Sequence, residues 1–359
     1  YLHLQSHFKL DERREKLSSN LIQIQKEAHL NLGYALLRKE LQEIHQNKKV
    51  VNFKNLVQET LENLGLSFDE ILTYKSLYQI LFIVNEFGNI HQNFSLLESF
   101  IKSGYEFLES KKNSSENHLY YHIQIVYFLA NFHFRTNDYT QSKVYLNEMQ
   151  DLMEKKNRRY FKTFFLRHQL VASLNLHYAG ESEKAIETLE NTLKKAGKDA
   201  DIIEIYDLKV SLVSFLAQHH DRKTLKKLKE LTHTDAWFEK KLGMLWTIRK
   251  NLLEILIHVQ FENTELVFSR IQSFKRRYKK YLYEVKEQRV MDYVLWVEQL
   301  VKKPEIIKSP DFKNEVLKRM EWDENKDPFI LSFWAWLISR AENKTAYEVV
   351  LELVSKEKL

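Results

Sequence analysis

Proline and glycine are so scarce in this chain that their scarcity constrains the fold more than any other feature. The 359 residues include 3 prolines and 7 glycines, and no proline occurs before Pro304. Because these residues end helices and shape tight turns between strands, a β-rich or mixed fold of this size needs many of them. A succession of helices joined by short polar corners needs few. The sequence therefore predicts an all-α fold.

Apolar residues recur at helical spacing along most of the chain, and sustained alternation of apolar and polar residues is absent. Such a spacing indicates helices that each bury one face, whereas alternation would indicate strands. The longest strongly apolar run, Ile80–Val84, is far shorter than the roughly 20 residues that a membrane-spanning helix needs. The pattern predicts packed helices rather than membrane spans. One clear example consists of Tyr74, Leu77, Tyr78, Leu81 and Val84.

Short polar corners interrupt this pattern at a loose period. Their first four intervals are about 49, 43, 40 and 43 residues, a spacing typical of helical repeat proteins. Longer polar segments at 111–116 and 197–201 are predicted to be loops. The stretch 264–302 contains no helix breaker and fits either one long helix or two helices with a corner near Lys279–Leu282. The predicted corners lie near 87–89, 136–138, 180–182, 219–221, 262–264 and 342–344.

The same pattern divides the chain into three segments. Residues 1–66 form a helical segment that fits the period poorly, and residues 67–303 form the regular repeats. Residues 304–359 begin at the first proline and contain a very apolar, aromatic helix pair that includes Phe333, Trp334 and Trp336. We expect this pair to cap the last repeat, because terminal repeats must close the core. The alternative is a hydrophobic surface for another chain.

Two corners carry a characteristic set of residues. Gly180 lies at a turn, with Ala185 and Leu189 following at small and apolar positions. At the preceding corner, Tyr139 supplies an aromatic residue and Ser142 a small one. A small side chain lets two antiparallel helices approach closely, and the aromatic ring closes the corner. Over residues 118–196 this arrangement resembles tetratricopeptide repeats.

This resemblance implies an α-solenoid of antiparallel helix hairpins, wound into a tetratricopeptide-like superhelix whose concave face binds a peptide or protein partner. The spacing here exceeds the 34 residues of the standard unit, so the repeats are degenerate. Aligning the first helix of each hairpin by its corner predicts the inner face, where tyrosine and arginine would serve as interface anchors. The predicted inner-face residues are Tyr127, Asn131, Arg167, Tyr206 and Lys209.

A second candidate surface is basic. Residues 221–290 hold 17 Lys and Arg against 9 Asp and Glu, whereas the whole chain has a net charge of +6. Three interpretations stay open: a solvated helix face with its aromatic residues turned inward, a docking surface for an acidic protein, and a nucleic-acid surface that uses phosphate contacts and stacking. The densest basic patch, interleaved with Phe274, Tyr278, Tyr281 and Tyr283, consists of Lys275, Arg276, Arg277, Lys279 and Lys280.

Several chemistries lack their motifs. The chain has no cysteine, which excludes disulfides, cysteine-bound zinc and thiol catalysis. Neither glycine-rich phosphate-binding motif occurs. The histidine pairs His3/His7 and His118/His122 have the i, i+4 spacing of metal ligands, but no third ligand accompanies them. We therefore expect no metal, no cofactor and no enzymatic activity, and a cytoplasmic location.

The function that this reasoning favours is a non-enzymatic scaffold or adaptor for a peptide or protein partner. Two alternatives remain at the level of sequence. The chain could be the ligand- or peptide-sensing part of a larger regulator, or it could bind nucleic acid through the basic window 222–280. The sequence does not define the oligomeric state.

Overall fold

The computed structural model describes residues 2–47, 73–91, 98–110, 118–285, 287–322 and 327–356. Within these ranges the chain forms sixteen α-helices, one short 3-10 helix at Pro304–Lys308 and no strand, which confirms the all-α prediction. None of the described helices combines the length and apolarity required to cross a bilayer. The α-helices are α1 (Leu2–Asn47), α2 (Tyr74–His91), α3 (Glu98–Ser110), α4 (Leu119–Arg135), α5 (Tyr139–Arg158), α6 (Phe161–Tyr178), α7 (Ser182–Lys195), α8 (Ile202–Gln218), α9 (Lys223–Leu228), α10 (Asp235–Leu242), α11 (Met244–Gln260), α12 (Thr264–Glu284), α13 (Gln288–Lys302), α14 (Pro310–Trp322), α15 (Pro328–Glu342) and α16 (Ala346–Lys356).

Five of the six predicted corners separate helices, and the loop predicted at 197–201 lies between α7 and α8. The prediction of a corner at 87–89 is wrong, because α2 continues through it to His91. A glycine inside a helix costs only about 1 kcal/mol, and Gly88 is buried, so packing offsets that cost. The loop predicted at 111–116 lies outside the described residues.

Five corners share one backbone geometry, in which a single residue adopts a positive φ. At the first, the Asp138 amide donates to the His133 carbonyl oxygen at 2.8 Å. This is the 6→1 hydrogen bond, between residues five positions apart, that defines a Schellman helix end. Because four of these five residues are not glycine, the chain turns repeatedly while remaining glycine-poor. The first four follow one another at intervals of 43, 40 and 42 residues. The five are Asn137 (φ 62°), Gly180 (φ 99°), His220 (φ 57°), Glu262 (φ 59°) and Asn343 (φ 55°).

Small residues lie where consecutive helices meet. Ala185 and Leu189 of α7 are fully buried, and α7 packs against α6 and α8. Ser142 of α5 is also fully buried, and its hydroxyl donates to the Ala130 carbonyl oxygen of α4 at 2.9 Å. These contacts explain why the two best-defined corners carry small residues.

The breaker-free stretch 264–302 forms two helices, α12 and α13. Helix α12 ends at Glu284, a few residues beyond the candidate corner at Lys279–Leu282. The Glu287 amide donates to the Leu282 carbonyl oxygen at 2.8 Å, which closes the end of the helix without proline or glycine. The three-segment division of the chain stays a prediction.

The last two helices lie against helices that are far away in sequence. Helix α16 contacts α6 and α8, and the Tyr347 hydroxyl donates to the His177 carbonyl oxygen at 3.0 Å. Just before α15, Asp327 accepts a hydrogen bond from Arg135 of α4 at 2.6 Å. The C-terminal helices therefore help to enclose a cavity that the earlier helices begin.

Candidate functional site: an internal cavity

A cavity of about 650 Å³ lies among α2, α4, α6, α8, α11 and α15. Each helix presents to it side chains three or four positions apart, so each contributes one face. On α8 this face includes Glu204, Asp207 and Ser211, and on α11 it includes Trp246 and Arg249. Leu242 of α10 and Ala346 of α16 also line it, so the cavity collects side chains from eight helices spread over most of the sequence.

Three of the five residues predicted for an inner face line this cavity: Tyr127, Asn131 and Arg167. Tyr206 and Lys209 do not. Tyr206 is buried, with its ring 5.1 Å from the ring of Phe238, and Lys209 lies over the Tyr206 ring at 5.1 Å. Because one residue turns a helix by about 100°, a one-residue error in the assumed facing of α8 replaces Asp207 with Tyr206.

Most charged groups of the wall already have partners. Arg167 donates from Nε to Glu204 at 2.5 Å, which joins α6 to α8. Lys250 lies 3.0 Å from Asp235 and 3.1 Å from Glu254. A buried charge is tolerated when it is paired in this way.

Amides and hydroxyls add neutral polar groups to the cavity wall. The Asn131 side-chain amide donates to the Asn85 side-chain oxygen Oδ1 at 2.9 Å, which joins α4 to α2. Ser211 and Ser214 of α8 line the same cavity. These groups lie among apolar side chains such as Leu170 and Leu253. A wall of this kind offers scattered hydrogen-bonding positions on an otherwise apolar surface.

Arg249 is the exception to the pairing of charges. Across the described ranges, no side chain forms an ion pair or hydrogen bond with its guanidinium, and its Nε is buried without an acceptor. Burial lowers the pKa of Arg249 and the charge of Arg135 lowers it further, whereas the carboxyl groups of Asp327, Glu287 and Asp207 partly oppose the shift. An unpaired buried polar group is costly and calls for an explanation. Sequence reasoning missed Arg249; the available signal was its position one helical turn from Trp246 and Leu253.

Asp207 lies on the same cavity wall, and its pKa is raised, whereas that of Arg249 is lowered. Burial raises the pKa of its carboxyl group to about 6, although a hydrogen bond from the Trp246 indole at 2.7 Å opposes the shift. Near neutral pH this carboxyl group therefore titrates more readily than an exposed aspartate. The cavity thus contains one unpaired cation and one acid whose charge depends on pH.

The basic patch of α12 is arranged differently. Lys275 pairs with Glu298, and Arg277 pairs with Glu239 at 2.6 Å. Lys280 lies 3.8 Å from Glu284 on the exposed surface, and Arg276 and Lys279 are exposed. The interleaved rings of Phe274, Tyr278 and Tyr281 are buried, whereas Tyr283 is exposed. The patch therefore has one exposed ring, Tyr283, for stacking on a base, and the burial favours the interpretation of a solvated helix face.

The histidine pairs form no visible ligand set. The rings of His118 and His122 both lie beside Tyr74, at 5.3 and 5.5 Å between centroids. The side chains of His3 and His7 lie outside the described residues. Among the side chains that are described, no group of three or more His, Asp or Glu is placed to hold a metal ion.

The chain matches no protein-family model, no curated protein and no solved structure. Its function must therefore be inferred from the cavity and the surface themselves. Of these, the cavity has the more specific chemistry, because it combines partial enclosure, mostly apolar walls and an arginine that forms no ion pair or hydrogen bond with the described side chains.

Proposed function

We propose that this chain is a non-enzymatic, tetratricopeptide-like helical-repeat protein that binds a carboxylate-bearing peptide segment of a partner inside the cavity. The unpaired guanidinium of Arg249 is the observation that carries the proposal. A carboxylate offers two acceptor oxygens to an arginine in matching geometry. The ligand would thus supply the partner that the folded chain lacks.

The superhelical part of the proposal is supported by the corners. Residues with positive φ recur at 43, 40 and 42 residues, and Ala185 and Ser142 occupy close helix contacts. Successive hairpins of equal size would place their first helices side by side, and α4, α6, α8 and α11 all line the cavity. Such an arrangement would give one continuous inner surface.

The size and lining of the cavity support a short segment rather than a folded domain as the ligand. A volume of about 650 Å³ lies within the range of pockets that take small ligands. Asn131, Ser211 and Ser214 could exchange hydrogen bonds with a peptide backbone, and Leu170 and Leu253 could contact its side chains. The carboxylate would be the chain terminus or an acidic side chain of the segment.

The proposal can be tested by screening the intact protein against an array of short peptides, each made with acidic and with neutralised carboxyl groups. Binders should require a free carboxylate. Their affinity should fall about tenfold to a hundredfold in Arg249→Gln, because a hydrogen bond to a charged group contributes about 1.5–3 kcal/mol. Arg276→Gln is the matched control, since Arg276 is exposed and does not line the cavity.

Circular dichroism spectra of both variants should match that of the parent protein. Equal binding by Arg249→Gln and the parent would remove the proposed role of Arg249. The absence of any carboxylate-dependent binder would contradict the proposed function itself.

A second candidate function is ligand sensing by the same cavity. The observation that favours it is the position of α15, which supplies Phe329, Phe333 and Trp336 to the cavity wall and is joined to α4 through the Arg135–Asp327 pair. A ligand carboxylate that competes with Asp327 for Arg135 would loosen this contact. Faster hydrogen exchange in α15 on peptide binding would support sensing, and unchanged exchange would contradict it.

A further inference from the structure

The first half of α1 is a helix whose side chains are largely exposed along the described residues 9–25. Every residue from 9 to 25 is exposed, whereas Leu30, Leu37 and Leu41 are buried, and α1 packs against α2. In proteins most helical stability comes from tertiary packing of an apolar face. The exposed half nevertheless carries five large aliphatic side chains: Leu10, Leu17, Leu21, Ile22 and Ile24.

Four of these side chains form a regular seam. Leu10, Leu17, Leu21 and Ile24 are spaced by seven, four and three residues, which is the alternation of a heptad repeat. Arg14 and Ala28 complete the pattern, so that Leu10, Leu17 and Ile24 take the d positions and Arg14, Leu21 and Ala28 take the a positions. Ile22 lies one position off the seam. A heptad seam fits another helix with the same spacing better than it fits a flat surface.

We propose that this segment of α1, residues 10–28, pairs with the same segment of a second copy of the chain as an antiparallel two-helix coiled coil. A second copy fits because it carries the same spacing and supplies complementary charges. This inference is independent of the proposed peptide binding.

Charge determines the orientation. In a parallel pair, Arg14 would face the other copy's Arg14 in one layer of the seam, which places like charges together. In an antiparallel pair centred between residues 17 and 21, Leu17 packs against Leu21 of the second copy, and Arg14 packs beside Ile24. The flanking positions then bring Arg13 opposite Glu27 of the second copy. Opposite charges at such flanking positions set orientation in coiled coils.

The pairing can be tested by light scattering coupled to gel filtration of the intact chain. The expected mass is twice the 43.3 kDa of one chain, with a dimer fraction that falls on dilution. The double variant Leu17→Glu with Leu21→Glu should be monomeric. Ile22→Glu is the matched control, because Ile22 is 56% exposed and Leu21 is 54% exposed, yet only Leu21 lies on the seam.

Residues 9–25 are exposed, so these variants should leave the thermal unfolding of the remaining helices unchanged. A monomeric parent protein, or a dimer that survives the double variant, would overturn the proposal. So would a dimer that Ile22→Glu disrupts equally.

The orientation can be tested separately because the chain has no cysteine of its own. Leu17→Cys and Leu21→Cys are prepared as single variants with different tags, mixed and allowed to oxidise in a redox buffer. The antiparallel pair predicts mainly a mixed disulfide between the two variants. Mainly like-with-like disulfides would indicate a parallel pair and overturn the antiparallel assignment.

Discussion

The corner at Gly180 gives the sharpest test of the backbone geometry. Gly180 has a φ of 99°, a conformation that residues with a Cβ rarely adopt. An alanine Cβ at this position would meet no atom within 4 Å. In the folded state, Gly180→Ala would therefore introduce backbone strain with neither a steric clash nor a packing gain.

Gly197→Ala is the matched comparison. Gly197 is also exposed and also has no atom within 4 Å of a Cβ, but its φ lies outside the left-handed region. In both variants the extra methyl group restricts the unfolded chain, which stabilises the fold by about 0.4–1 kcal/mol. This contribution cancels when the two variants are compared.

The remaining difference is the cost of a left-handed backbone for alanine, about 1–2 kcal/mol. We expect Gly180→Ala to have a free energy of unfolding lower than that of Gly197→Ala by this amount. Denaturant titrations followed by far-ultraviolet circular dichroism measure the difference. Hydrogen exchange at residues 179–181 would show whether the loss is confined to this corner. Equal stability of the two variants would refute the left-handed geometry of the corner.

Three further predictions concern stability. Burial holds the pKa of His177 at about 3, below its ordinary value of 6.5, so the contribution of neutral His177 to stability is complete above pH 6.5 and is lost as the pH falls towards 3. Over that range the free energy of unfolding should decline by up to about 1.4 kcal/mol per pH unit. Denaturant titrations at several pH values should show a flatter decline for His177→Gln, and equal slopes for the variant and the parent protein would contradict this prediction. Asp327→Ala removes the 4%-exposed partner of Arg135 and should lower the unfolding free energy by about 3 kcal/mol; a loss below about 1 kcal/mol, typical of surface pairs, would contradict this. Ala185→Leu overpacks a fully buried helix contact and should lower the free energy of unfolding by about 1–3 kcal/mol, measured by thermal or denaturant unfolding. Glu187 is exposed, so Glu187→Leu should leave the stability nearly unchanged. Equal losses of stability in the two variants would contradict the close helix contact at Ala185.

Local patterns were sufficient for the helices and most of the corners. The segment around Gly180 was recognisable because a helix end depends on hydrogen bonds within a few residues. The prediction of a corner at 87–89 was wrong because tertiary contacts, and not local hydrogen bonds, decide the conformation there. Gly88 resembles a helix breaker in sequence, but it is buried, and tertiary packing overrides a weak local preference.

The candidate site was only partly predictable, for a geometric reason. Tyr127, Asn131 and Arg167 were placed on an inner face by counting from corners, and they line the cavity. The same counting chose Tyr206 instead of Asp207, because a helix turns by about 100° per residue and an error of one position changes the face. Arg249 had no motif to mark it.

The sequence by itself therefore determined that this chain is helical and where most of its corners lie, since these properties depend on neighbours within about one helical turn. Only the tertiary structure decided which side chains meet. Arg135 and Asp327 are separated by 192 residues and form a buried pair. Arg249 is recognisable as unpaired only after the described side chains around it are placed. Burial and charge pairing depend on the arrangement of all packed helices, and no local pattern encodes that arrangement.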